Sequence, residues 1–198
     1  MIDLRTGART VWRDGLSRPG QTFTIPRVSW APDSRSLAFL AIWCRPTPNS
    51  GICLGTPGRL GYRGTQVRSL DLTTKGGTLG HSTMRLAQDN RYPVIADAVA
   101  GRNGELTLAV LSGSVDDAQL TVERVAANGA RLGVPYRSPA YNTVGRPASV
   151  TLTPDATGRY LMLTYDRPDG LVSGWVDHGK LRLLPAEHPV RGLRITAW

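Results

Sequence analysis

The chain has 198 residues and a mass of 21.4 kDa, with 40% hydrophobic and 20% charged side chains. That suits one ordinary domain with a buried core and is too apolar for a disordered tail. Its longest unbroken apolar run, Leu37 to Cys44, has eight residues, against about 20 for a helix that crosses a membrane. Met1-Ile-Asp-Leu-Arg-Thr-Gly carries neither a basic head nor an apolar stretch, so no signal peptide is expected there. The formal net charge is +9 and the isoelectric point near 10.4, a balance that raises nucleic acid or an anionic membrane surface as partners. All but two of the 24 basic residues are arginine, the exceptions being Lys75 and Lys180. They are scattered from Arg5 to Arg194 without a run of four, whereas phosphate binding needs a patch or stripe. Arginine-rich coding accounts for this charge, and no nucleic-acid partner is expected.

In chain order the predicted strands are Thr10–Arg13, Arg27–Trp30, Ser36–Trp43, Gln66–Leu72, Val94–Val99 and Glu105–Leu111. Then come Gln119–Val125, Ser149–Leu152, Tyr160–Tyr165, Gly174–Asp177, Lys180–Leu184 and Leu193–Ala197. Each is a short β-branched or aromatic run bounded by turn residues. Stretches with an apolar stripe at helical spacing are interrupted by Gly or Pro within ten residues. Short strands with frequent turns predict an all-β fold.

The sequence also repeats itself. Val28-Ser-Trp-Ala-Pro-Asp-Ser-Arg-Ser-Leu-Ala-Phe-Leu-Ala is matched by Val150-Thr-Leu-Thr-Pro-Asp-Ala-Thr-Gly-Arg-Tyr-Leu-Met-Leu-Thr. Both read as a strand, a Pro-Asp turn and a more hydrophobic strand. Pro32 and Pro154 are expected to preset φ at the first turn corner, and Asp33 and Asp155 to cap nearby amides. A degenerate copy begins at Ala96, with Gly101-Arg-Asn-Gly in place of Pro-Asp. The copies close on alternating strands, Val67-Arg-Ser-Leu-Asp-Leu-Thr-Thr and Leu120-Thr-Val-Glu-Arg-Val. Starts near 28, 96 and 150, with the surplus of the first interval in Cys44–Gly64, give the spacing of four-stranded propeller blades.

These units resemble the TolB-like or WD40-like β-propeller repeat. With its cysteine-containing insertion, the first resembles actinobacterial propeller proteins. The likeness spans residues 22–186 or so. It implies a partial or small β-propeller: three full blade-like repeats plus terminal strands. The units would be 22–88, 93–137 and 147–188, with 1–14 joined by 190–198, and an insertion at 44–64. Relatives of this kind commonly carry an upstream membrane anchor and further blades. Met1-Ile-Asp-Leu-Arg-Thr-Gly looks like the end of a blade, so the chain is expected to be the C-terminal piece of a larger propeller. The alternative is closure by its own termini, since an open propeller leaves sheet edges exposed.

Candidate chemistry is sparse. Cys44 and Cys53 are the only cysteines, separated by a Pro- and Gly-rich loop. The spacing suits neither a zinc knuckle nor a redox pair. A structural disulfide is the leading reading, with two free thiols as the alternative; a bridge would place the domain in an oxidising compartment. His81, His178 and His188 form no metal-ligand spacing, and Asp177-His178-Gly179 reads as a hairpin turn. Gly170-Leu-Val-Ser-Gly174 misses the spacing of a nucleophile elbow. Asp116-Asp117 and Asp166-Arg-Pro-Asp169 sit in predicted turns without the spacing of a calcium loop. Gly76-Gly77 and Gly55-Thr-Pro-Gly58 lack the Lys-Ser/Thr of a phosphate-binding loop. Among Trp12, Trp30, Trp43, Trp175 and Trp198, packing between blades is the ordinary role and sugar or peptide stacking the functional one.

No catalytic residue, cofactor or metal is therefore expected. The leading reading is a non-catalytic binding or scaffold domain, holding a protein, peptide or cell-envelope component at its loops, outside the cytoplasmic membrane. The alternative is the accessory propeller of a larger hydrolytic enzyme whose catalytic residues lie elsewhere.

Overall fold

The protein is described here by a computed structural model over residues 10–17, 19–45, 62–73, 76–91, 93–114, 116–142, 149–155 and 157–184. It is all-β, with two single 3-10 turns and no α-helix among the described residues. The strands of the first half are β1 (Trp12–Arg13), β2 (Thr22–Thr24), β3 (Val28–Trp30), β4 (Ser36–Cys44), β5 (Tyr62–Asp71), β6 (Gly77–Thr78) and β7 (Thr83–Ala87). Those of the second half are β8 (Val94–Ala100), β9 (Leu106–Ser112), β10 (Gln119–Val125), β11 (Arg131–Arg137), β12 (Val150–Pro154), β13 (Leu161–Arg167), β14 (Gly170–Asp177) and β15 (Lys180–Leu183).

Apart from a two-residue parallel pairing of β1 with β6, these strands form three antiparallel meanders. Sheet 1 runs β3-β4-β5-β7, with β2 continuing the β3 side of β4. Sheet 2 runs β8-β9-β10-β11, and sheet 3 runs β12-β13-β14-β15. Strands β2, β6, β7 and β11 are absent from the predicted set. The predicted strand Leu193–Ala197 lies outside the described residues, as do Met1–Arg9.

The side-chain period of two decides how the sheets stack. On β4, Ala38 and Leu40 face sheet 2, where they meet Ile95, Ala98, Leu106, Leu108 and Val110. Their neighbours Phe39 and Ala41 point the other way, onto Leu16, Trp12 and Phe23 of the N-terminal segment. That is why Ser36–Cys44 is a near-continuous apolar run: both of its faces are covered. Sheet 2 repeats the arrangement. Its far face presents Val99, Ala109, Leu120 and Val122 to Val150, Leu152, Leu163 and Tyr165 of sheet 3. Sheet 2 is thus the filling between sheets 1 and 3.

The first strand of each sheet lies innermost, and β3, β8 and β12 run beside one another. The fourth strands lie at the outside, where Leu132 and Leu183 are half or more exposed. No helix among the described residues is long and apolar enough to cross a membrane.

Candidate functional site

Each sheet joins its innermost strand to the next by a tight turn, and the three turns gather at one end of the molecule. In the first, Ser34 N donates to Ala31 O (2.9 Å) and Ala31 N to Ser36 O (2.9 Å), with Ser34 left-handed at φ 57°. In the third, Gly158 N donates to Asp155 O (2.9 Å) and Asp155 N to Tyr160 O (3.0 Å), with Gly158 at φ 67°. The middle turn is one residue shorter, closed by Gly101 N to Glu105 O (2.8 Å), with Asn103 and Gly104 left-handed.

Ala31 therefore corresponds to Asp155, which puts the two Pro-Asp pairs out of step. Pro32 occupies the first turn corner, and Asp33 Oδ1 accepts from Arg35 N at 2.9 Å. Pro154 instead ends β12, opposite Leu161. Its position is on the unpaired edge of an innermost strand, where a missing N–H costs nothing. Asp155 then opens the turn, accepting from Tyr160 N (3.0 Å) and Thr157 Oγ1 (2.5 Å). The turns also touch across sheets. A Cβ on Gly158 would lie 2.8 Å from Pro32 Cγ, and Arg102 Nη2 donates to Thr157 O at 2.9 Å.

Behind the turns, one polar group from each sheet meets where the innermost strands converge. Asp97 is 1% exposed. A bulge between Ile95 and Asp97 breaks the alternation of β8 and frees this side chain from either apolar face. Its Oδ2 accepts from Leu152 N on the open edge of β12 (2.8 Å), and its Oδ1 from Ala98 N (2.9 Å). Burial raises its pKa to about 6, against the two amide bonds and the positive charge of Arg27, which pull it down. Arg27, just ahead of β3, reaches Thr151 Oγ1 of sheet 3 through Nη2 at 2.5 Å. Ser29 Oγ accepts from Ala100 N at 3.2 Å. Asp97 and Arg27 carry no motif, and only Asp97 left a sequence signal: an acid inside the otherwise apolar run Val94–Ala100.

At the same end a cleft of about 430 Å³ opens between sheets 1 and 2. Arg35, Arg85 and His81 stand on the sheet 1 side, and Gly101, Gly104 and Glu105 on the sheet 2 side. Glu105 is already paired with Arg124, Oε2 to Nη2 at 2.6 Å. Asp71 in the cleft accepts from Thr73 N (2.8 Å) and Thr73 Oγ1 (2.7 Å), which hold its pKa below the ordinary carboxylate value. Arg85 ties the sheets together by donating to Gly104 O and Ala127 O. Arg35 has no acidic partner among the described residues. The cleft is thus a preformed gap with Arg35 on its lip, a guanidinium in no ion pair among the described residues.

The other predicted residues fall elsewhere. Cys44 is 4% exposed at the last position of β4, at the opposite end of sheet 1 from the turns, and Cys53 lies outside the described residues. His178 and Gly179 adopt positive φ in the β14–β15 turn, with Asp177 bonded to both His178 and Arg182. Trp43 packs on Phe23, ring centroids 5.5 Å apart, whereas Trp30 and Trp175 stay substantially exposed. No cluster of three or more potential metal ligands occurs among the described residues.

No family model matches the chain, and no curated protein matches it. Among solved structures it is similar to one from a study of two prolyl endopeptidases, at 16% identity and a TM-score of 0.26. The match covers 82% of this chain, which spans 28% of the length of that one. At this TM-score the likeness fixes neither fold nor function.

Proposed function

We propose that this chain is a propeller-type binding module, three blades of radial repetition, that seats a peptide or protein segment at its turn-bearing end. What supports the reading is the gathering of three corresponding turns beside a preformed cleft whose Arg35 has no ion-pair partner among the described residues. An acidic side chain of the ligand would supply that counter-ion. In this reading the protein works outside the cytoplasmic membrane, with Cys44 and Cys53 bonded to close the insertion. Alkylation of the unreduced protein unfolded in denaturant tests that part: no thiol is labelled if the bridge exists.

The binding reading is tested by titrating acetylated hexaglutamate and the neutral hexaglutamine into isotopically labelled protein. Amide shifts at Arg35, Thr83 and Gly101 are expected for the acidic peptide alone. They should be lost in Arg35→Ala and kept in Arg137→Ala, at the far end of β11. Equal shifts for both peptides, or none around the cleft, would discard it.

A further inference from the structure

A second recess, of about 570 Å³, lies on sheet 3, and its lining includes Arg159, Tyr160, Trp175, Asp177, His178 and Arg182. The register explains its composition. Trp175 pairs with Met162 and Arg182, and Asp177 with Lys180. By the two-residue period, Tyr160, Trp175, Asp177 and Arg182 share the face of sheet 3 turned away from sheet 2. Tyr160 is 51% and Trp175 38% exposed, so neither ring is spent on core packing. On neighbouring strands at diagonal positions, such rings stand roughly 7–8 Å apart at the backbone.

The polar groups between the rings narrow the ligand class. Asp177 is held by Arg182, Nε to Oδ2 at 2.6 Å, and by His178. Its pKa lies below the ordinary value, through its bond to His178 first and the nearby Arg182 after it, so it stays an acceptor-only carboxylate. Arg159 lies over the Tyr160 ring, its guanidinium carbon 5.6 Å from the centroid. Stacking of that kind leaves the guanidinium edge available for a forked bond to a carboxylate. Sugar C–H faces pack on aromatic rings, and sugar hydroxyls donate to fixed carboxylates.

We infer that this recess is a saccharide site for a uronic-acid-bearing glycan. Tyr160 and Trp175 are its platforms, Asp177 takes the hydroxyl donors, and Arg159 and Arg182 take the uronate. A DNA strand lacks the ring hydroxyl donors that Asp177 would take. This inference does not rest on the cleft between sheets 1 and 2.

The test is calorimetric titration of the full chain with trigalacturonic acid, neutral galactotriose and an oligothymidylate, at low salt. Trigalacturonic acid should bind, and Trp175→Ala and Arg182→Ala should each weaken it by about tenfold or more, as central contacts do. Tyr160→Ala should do the same, and Arg137→Ala should leave binding unchanged. Circular dichroism of each variant separates lost binding from lost fold, since all three side chains are exposed. Absence of binding, equal binding of the neutral trisaccharide, or tighter binding of the oligonucleotide would each overturn the inference.

Discussion

A buried carboxylate in an otherwise apolar strand is the residue with most at stake. The folded pKa of Asp97 is raised to about 6 from the 3.8 of an unhindered aspartate. As pH climbs through that window the unfolded chain releases its proton and the folded one retains it, so this group's contribution to stability falls. The loss amounts to about 2 kcal/mol between pH 4 and pH 6. Asp97→Asn removes the titration but leaves one of the two amides, Leu152 N or Ala98 N, facing an NH2 group. The variant should be less stable than the parent by about 1–3 kcal/mol at pH 4, the gap narrowing by pH 6. Urea melts at both pH values decide it; a constant gap means that Asp97 does not titrate there. A different constraint holds at Gly158, which combines a left-handed backbone with a position hard against Pro32. Gly158→Ala should cost about 1 kcal/mol for the backbone and more for the contact. Adding Pro32→Ala should recover the contact part and not the backbone part, as a double-mutant cycle would report.

At the scale of strands, burial on both faces decides what could be read from sequence. Ser36–Cys44 and Leu106–Ser112 are second strands with heavily buried apolar runs that stand out in the sequence by hydrophobicity alone, and Leu161–Arg167 stands out by its opening Leu-Met-Leu. Strands β7 and β11 do not. The first, Thr-Met-Arg-Leu-Ala, and the second, Arg-Leu-Gly-Val-Pro-Tyr-Arg, lie at outer edges where few positions must be apolar and a proline is tolerated. The repeat of turns was legible, but its fine alignment was not, because Pro-Asp serves a turn corner at 32 and a strand end at 154. Backbone amides of β9 and β13 should therefore exchange more slowly than those of β7, β11 and β15. Equal protection across each sheet would refute that ordering. On sheet 3, a Cβ at Gly174 would sit 2.3 Å from the backbone oxygen of Arg182. Gly174→Ala should loosen β15 and speed exchange at Val176 and Leu184 while sparing sheet 1.

For the whole molecule, the end where every sheet turns carries the cleft between sheets 1 and 2, and Arg159 and Tyr160 of the third turn line the sheet 3 recess. The repeated turns were the hint of this arrangement in sequence, and Asp97 showed only as an acid inside an apolar strand. Arg35 and Trp175 looked like any other arginine and tryptophan until the stacking of the sheets placed them.

Linear repeat arrays are held together by contacts between neighbours alone, so they can fray from an end or lose a terminal unit and keep the rest. This chain is wired differently. Arg27 reaches Thr151 and Pro32 abuts Gly158, so sheets 1 and 3 touch each other as well as the sheet between them. A loop of mutual dependence leaves no end from which to fray. Loss of sheet 3 strands Arg27 and one oxygen of Asp97 in sheets that would otherwise survive, so melting should be a single event. Signals from Trp43 in sheet 1 and Trp175 in sheet 3 should then move together through one transition.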